Sequence, residues 1–316
     1  MANFGWSYDP DKIAAAEDRV AKAGFQISFA SDRPSLKGWW KSQQSRGVNV
    51  IAAQQDELQL YGEWRDPNGQ VRGTCVGQGS SRAVEDVHIS RVADGALVDP
   101  LRRVLIAFEP MYGYERKLHW GATHQWGCRC GNCPDGLAGA DAAAFYSTVG
   151  VLQRTAYGDV DLSNPQEHLA IDWNNSGVPQ LLLEAAKFHK INCHSSASWS
   201  EYCDPIAAKC WGHICLPKVF GMTQVITEKN GTVLPDSSGG HDTECCGIVT
   251  LPTHETAFLI QQSWGKGIKY PPTIQTVDGP LNMRPGSYAV RQSVLEDMGN
   301  QVERLSCDIP SSVSFR

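Results

Sequence analysis

Three separated segments carry residue types that could act together. Cys75 ends a glycine-rich approach, Gly69-Gln70-Val71-Arg72-Gly73-Thr74. His241 follows Gly239-Gly240, and Gln262-Ser263-Trp264-Gly265 comes later, with Gly267 just beyond. A thiol at a helix N-terminus feels the positive end of the helix dipole, which stabilises its anion. A histidine beside it can take the thiol proton and persist as half of a thiolate–imidazolium pair. An amide side chain can fix the imidazole tautomer, and an indole can shield that contact from water. Cys75, His241, Gln262 and Trp264 supply these parts in order. Each also has a plainer reading: a small apolar residue at a helix start, a turn histidine, a surface amide and a core aromatic.

The chain holds 11 cysteines, an odd number. That count fits a free reactive thiol plus disulfides, or a metal site plus scattered buried thiols. Cys128-Arg129-Cys130-Gly131-Asn132-Cys133, with His119 and His124 upstream, could form a structural zinc site of Cys3His type. Disulfides from these cysteines to Cys193, Cys203, Cys210 or Cys215 are the competing expectation. No cofactor is expected to be required for catalysis. Cys245-Cys246 read as core strand residues.

The elements that must position these groups are partly legible. Asp9 to Gly24 reads as a capped helix, with Asp9 as N-cap, Pro10 in the first turn and Gly24 past the end. Residues 25 to 68 look mixed and loop-rich, anchored by Trp39-Trp40 and Trp64. From Cys75, the residues Val76, Ala83, Val84 and Val87 share one helical face. The turn-forming run Asp66–Thr74 cannot be helical, so Cys75 sits at a helix N-terminus. Further helices are expected over Ala140–Thr148 and Val178–His189. After about residue 218, short β-rich runs take over at 219–226, 246–251, 257–260 and 287–290. Helices first and strands later indicate an α+β protein with two lobes.

At 316 residues, 41% hydrophobic and 20% charged, the chain can bury a large core. A net charge of −6 argues against nucleic acid as a partner. No apolar run is long enough to span a membrane. The N-terminus lacks the basic and apolar regions of a Sec signal peptide, which predicts a cytoplasmic protein or one carried in a virion.

The three boxes resemble the Cys, His and Asn boxes of the papain family of cysteine peptidases, in particular its divergent bacterial and phage members. Gly73-Thr74-Cys75-Val76 is similar to the nucleophile box, with Val76 where the family has Trp. His241 with Gly247 has the spacing of the His box. Gln262-Ser263-Trp264-Gly265 resembles Asn-Ser-Trp-Gly, with Gln262 one methylene longer than the family's Asn. Gly286-Ser287-Tyr288-Ala289-Val290 looks like the closing strand, and Gly136-Leu137-Ala138-Gly139-Ala140-Asp141 resembles the glycine-containing substrate wall.

The resemblance implies a two-lobe fold, with a helical lobe carrying the cysteine and an antiparallel β lobe carrying the histidine. It implies Cys75 as nucleophile, His241 as base and acid, and Gln262 as orienter. Gly69 stands where the family has its oxyanion glutamine, so Gln70 becomes the expected side-chain donor beside the Cys75 N–H. Gly136, Gly139, Gly240 and Trp264 are the expected substrate-binding positions. Asp242 and Glu244, beside His241, either raise the imidazole pKa or face solvent.

The implied domains are an N-terminal extension over 1–50 with one helix, a papain-like domain over 51–300 with a cysteine-rich insertion around 158–217, and a tail over 301–316. The extension is short for the family's inhibitory propeptide, so zymogen control is not expected. The implied function is a thiol hydrolase acting on peptide or isopeptide bonds of a peptide or protein substrate. The alternative is a phage structural component that meets other virion proteins and keeps the scaffold with weak or no activity.

Overall fold

A computed structural model describes residues 6–23, 36–67, 69–97, 103–121, 136–195, 199, 202, 206, 209–299, 302–310, 313 and 315. The central element is α4 (Cys75–Ala93), a helix buried on nearly every side, including its polar residues Arg82, Glu85, Asp86 and His88. Around it stand α1 (Pro10–Lys22), α2 (Leu36–Ser45), α3 (Ala53–Tyr61), α5 (Glu109–Glu115), α6 (Gly139–Thr148), α7 (Glu167–Ser176) and α8 (Gln180–Ala186). The Asp9 carboxylate caps α1 by accepting from the N–H groups of Asp11 and Lys12.

The other lobe is a seven-stranded antiparallel sheet. Its strands are β1 (Val50–Ala52), β4 (Asn192–Ser195), β5 (Gly212–Val219), β8 (Ser237–Thr250), β9 (Thr256–Gln261), β12 (Ser287–Arg291) and β13 (Glu303–Asp308). Their order is β12-β9-β8-β5-β13-β4, and β1 adds to β8. Three small hairpins complete the fold: β2 (Ala156–Tyr157) with β3 (Val160–Asp161), β6 (Ile226–Thr227) with β7 (Val233–Leu234), and β10 (Thr273–Thr276) with β11 (Gly279–Asn282). β8 is the long strand, and α4 packs against it.

Several boundaries differ from the sequence expectation. The extension over 1–50 holds two helices, and β1 begins inside its last residue. α3 escaped detection because its buried side is polar: Gln54, Asp56 and Glu57 face inward and are satisfied by other elements. A hydrophobic period therefore never forms. The stretch 158–217 supplies β4 and most of β5 to the main sheet. The tail over 301–316 contains β13, an interior strand between β5 and β4. Among the described residues, no helix is long and apolar enough to cross a membrane.

Candidate active site

Cys75 is the first residue of α4 and is fully buried. The turn before it is braced by one carboxylate. Glu167, at the start of α7, accepts from the Val71 N–H at 2.9 Å, the Arg72 N–H at 3.4 Å, Gln78 Nε2 at 3.0 Å and Thr74 Oγ1. Sequence reasoning missed Glu167. It lies far along the chain, in a helix that the sequence reading did not identify.

His241 enters from β8. The N–H of the next residue, Asp242, donates to Cys75 Sγ at 3.2 Å, so the start of α4 and the histidine strand meet at the sulfur. The His241 ring stacks on Trp264, with centroids 4.3 Å apart and planes 23° apart. The loop carrying Trp264 is tied to the approach to Cys75: the Gln70 N–H donates to Ser263 O at 2.7 Å, and Gly69 bridges Trp264. Cys75, His241 and Trp264 are thus brought together by three elements far apart in sequence.

The two amides behave differently from expectation. Gln262 Oε1 accepts from the Trp264 N–H, and its Nε2 donates to Gly265 O at 3.5 Å. These bonds stay within its own turn, because the extra methylene lets the amide curl back on the loop. It also lines a cavity with Gln78 and Gly79, a turn beyond Cys75 along α4. Gln70 Nε2 donates to Arg72 O at 2.5 Å, and its Oε1 accepts from Ser263 Oγ. Gln70 therefore fastens one loop to the other, with its amide donor directed into its own turn.

The electrostatics also depart from expectation. Burial pushes the Cys75 thiol well up, and the nearby Asp242 carboxylate adds to this. The N–H groups of Asp242, Val76 and Cys75 pull the other way and are outweighed. Burial lowers His241 to about 3. In this conformation the pair is a neutral thiol and a neutral imidazole. Asp242 and Glu244 do not face solvent, as each is about 1% exposed or less. Asp242 pairs with His213, Nδ1 to Oδ2 at 2.8 Å, and Glu244 pairs with Arg284 Nη2 at 3.0 Å.

The N-terminal segment packs beside the residue that precedes His241. Trp6 is 4% exposed and lies between the two expected walls of the groove. It forms a parallel bridge to Leu137, and the Ser7 N–H donates to Leu137 O at 2.9 Å. On the other side, a Cβ placed on Gly240 would stand 2.4 Å from Trp6 O, so glycine is required there. Trp6 Nε1 donates to Glu303 Oε2 at 2.5 Å, and Glu303 also accepts from the N–H groups of Gly139 and Ala140 at the start of α6. Gly136 holds φ +115°, and its N–H donates to Tyr112 Oη. The extension, although short, thus reaches the groove.

Cys128, Cys130 and Cys133 lie outside the described residues, as does His124. Cys193 and Cys215 form no disulfide, so two of the four proposed disulfide partners are not bridged in this structure. Cys245 and Cys246 are buried in β8, as expected.

No family model matches the chain, and no curated protein matches it. Solved structures do. Xylellain, a cysteine protease from Xylella fastidiosa, is similar over 98% of this chain and 93% of its own, at 14% identity and a TM-score of 0.51. Digestive procathepsin L 3 from Tenebrio molitor larval midgut is similar over 93% of this chain and 79% of its own, at 9% identity and a TM-score of 0.50. The chain has the papain-like two-lobe fold of these cysteine proteases.

Proposed function

We propose that the chain is a thiol hydrolase that cleaves peptide or isopeptide bonds, with Cys75 as nucleophile and His241 as general base and acid. The observation that carries this reading is a chain of contacts that starts at one sulfur. A cysteine opens the central helix, the N–H beside a histidine donates to its Sγ, and an indole stacks on that histidine's ring. A neutral buried pair becomes a thiolate–imidazolium pair once water or substrate enters, because the burial that opposes both charges is then relieved. Helix N–H groups at the sulfur supply donors for a developing oxyanion.

On this reading the segment around Trp6 holds the groove closed, and opening it precedes turnover. Substrate would lie between the Gly136–Gly139 wall and Gly240, where Trp6 now lies. Gln262 and Gln70 act by fixing the loops that carry Trp264 and Cys75.

The test is hydrolysis of a mixed fluorogenic peptide library by the full chain and by Trp6→Ala, with Cys75→Ala as control. Cleavage that is abolished in Cys75→Ala supports the reading. Absence of cleavage by both the full chain and Trp6→Ala, with both folded, counts against it.

A further inference from the structure

Beneath the nucleophile lies a second cluster that the proposed hydrolysis does not use. β5 and β8 pair so that Cys215 stands directly opposite Asp242, while His213 stands two residues from Cys215 on β5. Alternation along a strand puts His213 and Cys215 on the same face. One ligand-type atom from each of the three residues lies within 4.8 Å of the other two, and all three residues are buried. We propose that His213, Cys215 and Asp242 form a binding site for a divalent cation of the zinc class.

One further observation points to a ligand, and a second shows how the cluster is enclosed. Asp242 Oδ2 accepts from His213 Nδ1 and the Cys215 thiol also bonds this carboxylate, but Asp242 Oδ1 is buried with no partner at regular hydrogen-bond geometry among the described residues. A carboxylate oxygen left so is costly, and a coordinated cation would satisfy it. Second, α6 meets the cluster at a glycine. A Cβ on Gly139 would stand 2.6 Å from Cys215 Sγ and 3.3 Å from His213 Cε1, so this face of the sulfur is covered by bare backbone.

The donor set selects the cation. One imidazole nitrogen, one thiolate sulfur and one carboxylate oxygen suit borderline zinc, whereas calcium and magnesium need shells of oxygen. Binding releases the Cys215 Sγ proton, while an imidazole ligand keeps its one proton on the ring nitrogen that does not coordinate. Three protein ligands leave a fourth position for water or another donor. The Asp242 N–H also holds Cys75 Sγ at 3.2 Å, so a cation here would sit next to the proposed nucleophile without needing His241.

Cobalt(II) titration of the full chain tests this, read by the thiolate-to-cobalt charge-transfer band. The background is Cys128→Ser, Cys130→Ser and Cys133→Ser, which removes the other cysteine cluster. The band should appear in this parent, persist in Cys75→Ser and vanish in Cys215→Ser. Asp242→Asn, equal in shape, should weaken binding by more than about 100-fold, since even partners outside the ligand shell are worth about 10–100-fold. Asp242→Asn carries the test alone if Cys215→Ser does not fold. No band in the parent, a band that survives Cys215→Ser, or an unchanged affinity in Asp242→Asn overturns the proposal. A band lost in Cys75→Ser but kept in Cys215→Ser would place the metal on the nucleophile and also overturn it.

Discussion

Asp242 and Glu244 stand two residues apart on β8, both buried against α4, and their surroundings are of opposite kinds. Glu244 meets arginine: Arg284 binds it at 3.0 Å and also binds Asp86 at 3.0 Å and Glu57 at 3.0 Å, with no exposure of its own side chain. Asp242 meets an imidazole, and its N–H meets a thiol. Guanidinium keeps its charge across the working pH range, whereas imidazole and thiol exchange protons near it. One end of the same strand face is a fixed ionic lock, and the other brings together the residue types used in proton transfer and metal binding. Chemistry belongs at the second end and structural order at the first.

The largest expected effect tests the lock. Arg284→Ala removes the buried cation that three carboxylates share and should cost about 3–5 kcal/mol in urea unfolding. Asp242→Asn keeps its shape and should cost about 1 kcal/mol. Equal losses would erase the distinction between the two ends.

A second prediction concerns pH. Burial raises Glu303 from 4.5 to about 7, against the opposing pull of its bonds from Trp6, Gly139 and Ala140. For a folded-state pKa raised in this way, the stabilising contribution is complete below 4.5 and is lost as pH rises through 7. Glu303→Gln should therefore remove about 3 kcal/mol of the stability lost between pH 5 and pH 8. An unchanged pH dependence would show that this end of the cluster does not titrate with folding.

Smaller effects follow at the groove. Trp6→Ala should speed alkylation of Cys75 at least about tenfold, since losing only 1.4 kcal/mol of packing changes occupancy by that factor. Gln262→Ala should change peptide cleavage less than about tenfold, far below the roughly 10⁴-fold typical of losing an orienting group. A large loss there would restore the orienting role to Gln262.

Much of the site was readable where function and local structure share a signal. The Asp66–Thr74 turn forces a helix to start at Cys75, which is where α4 begins. Trp264 stacks on His241, while the Gln262 amide whose contact it was expected to shield bonds within its own turn. Other features had no local signal. His213, Cys215 and Asp242 form no motif, because only the register of β5 against β8 brings them together. Trp6 belongs to a segment without periodicity, and Glu167 braces the Cys75 turn from α7. The expected low thiol pKa failed for a tertiary reason: the helix end that favours the anion is buried beside the Asp242 carboxylate.

The most direct measurement is the rate of iodoacetamide alkylation at Cys75 against pH, followed by mass spectrometry in the full chain and in His241→Ala. The account predicts selective labelling of Cys75 that persists at neutral pH in the full chain and falls at least about 100-fold in His241→Ala, the range expected for a lost general base. Equal rates in the two proteins, or labelling spread evenly over the cysteines, would contradict it.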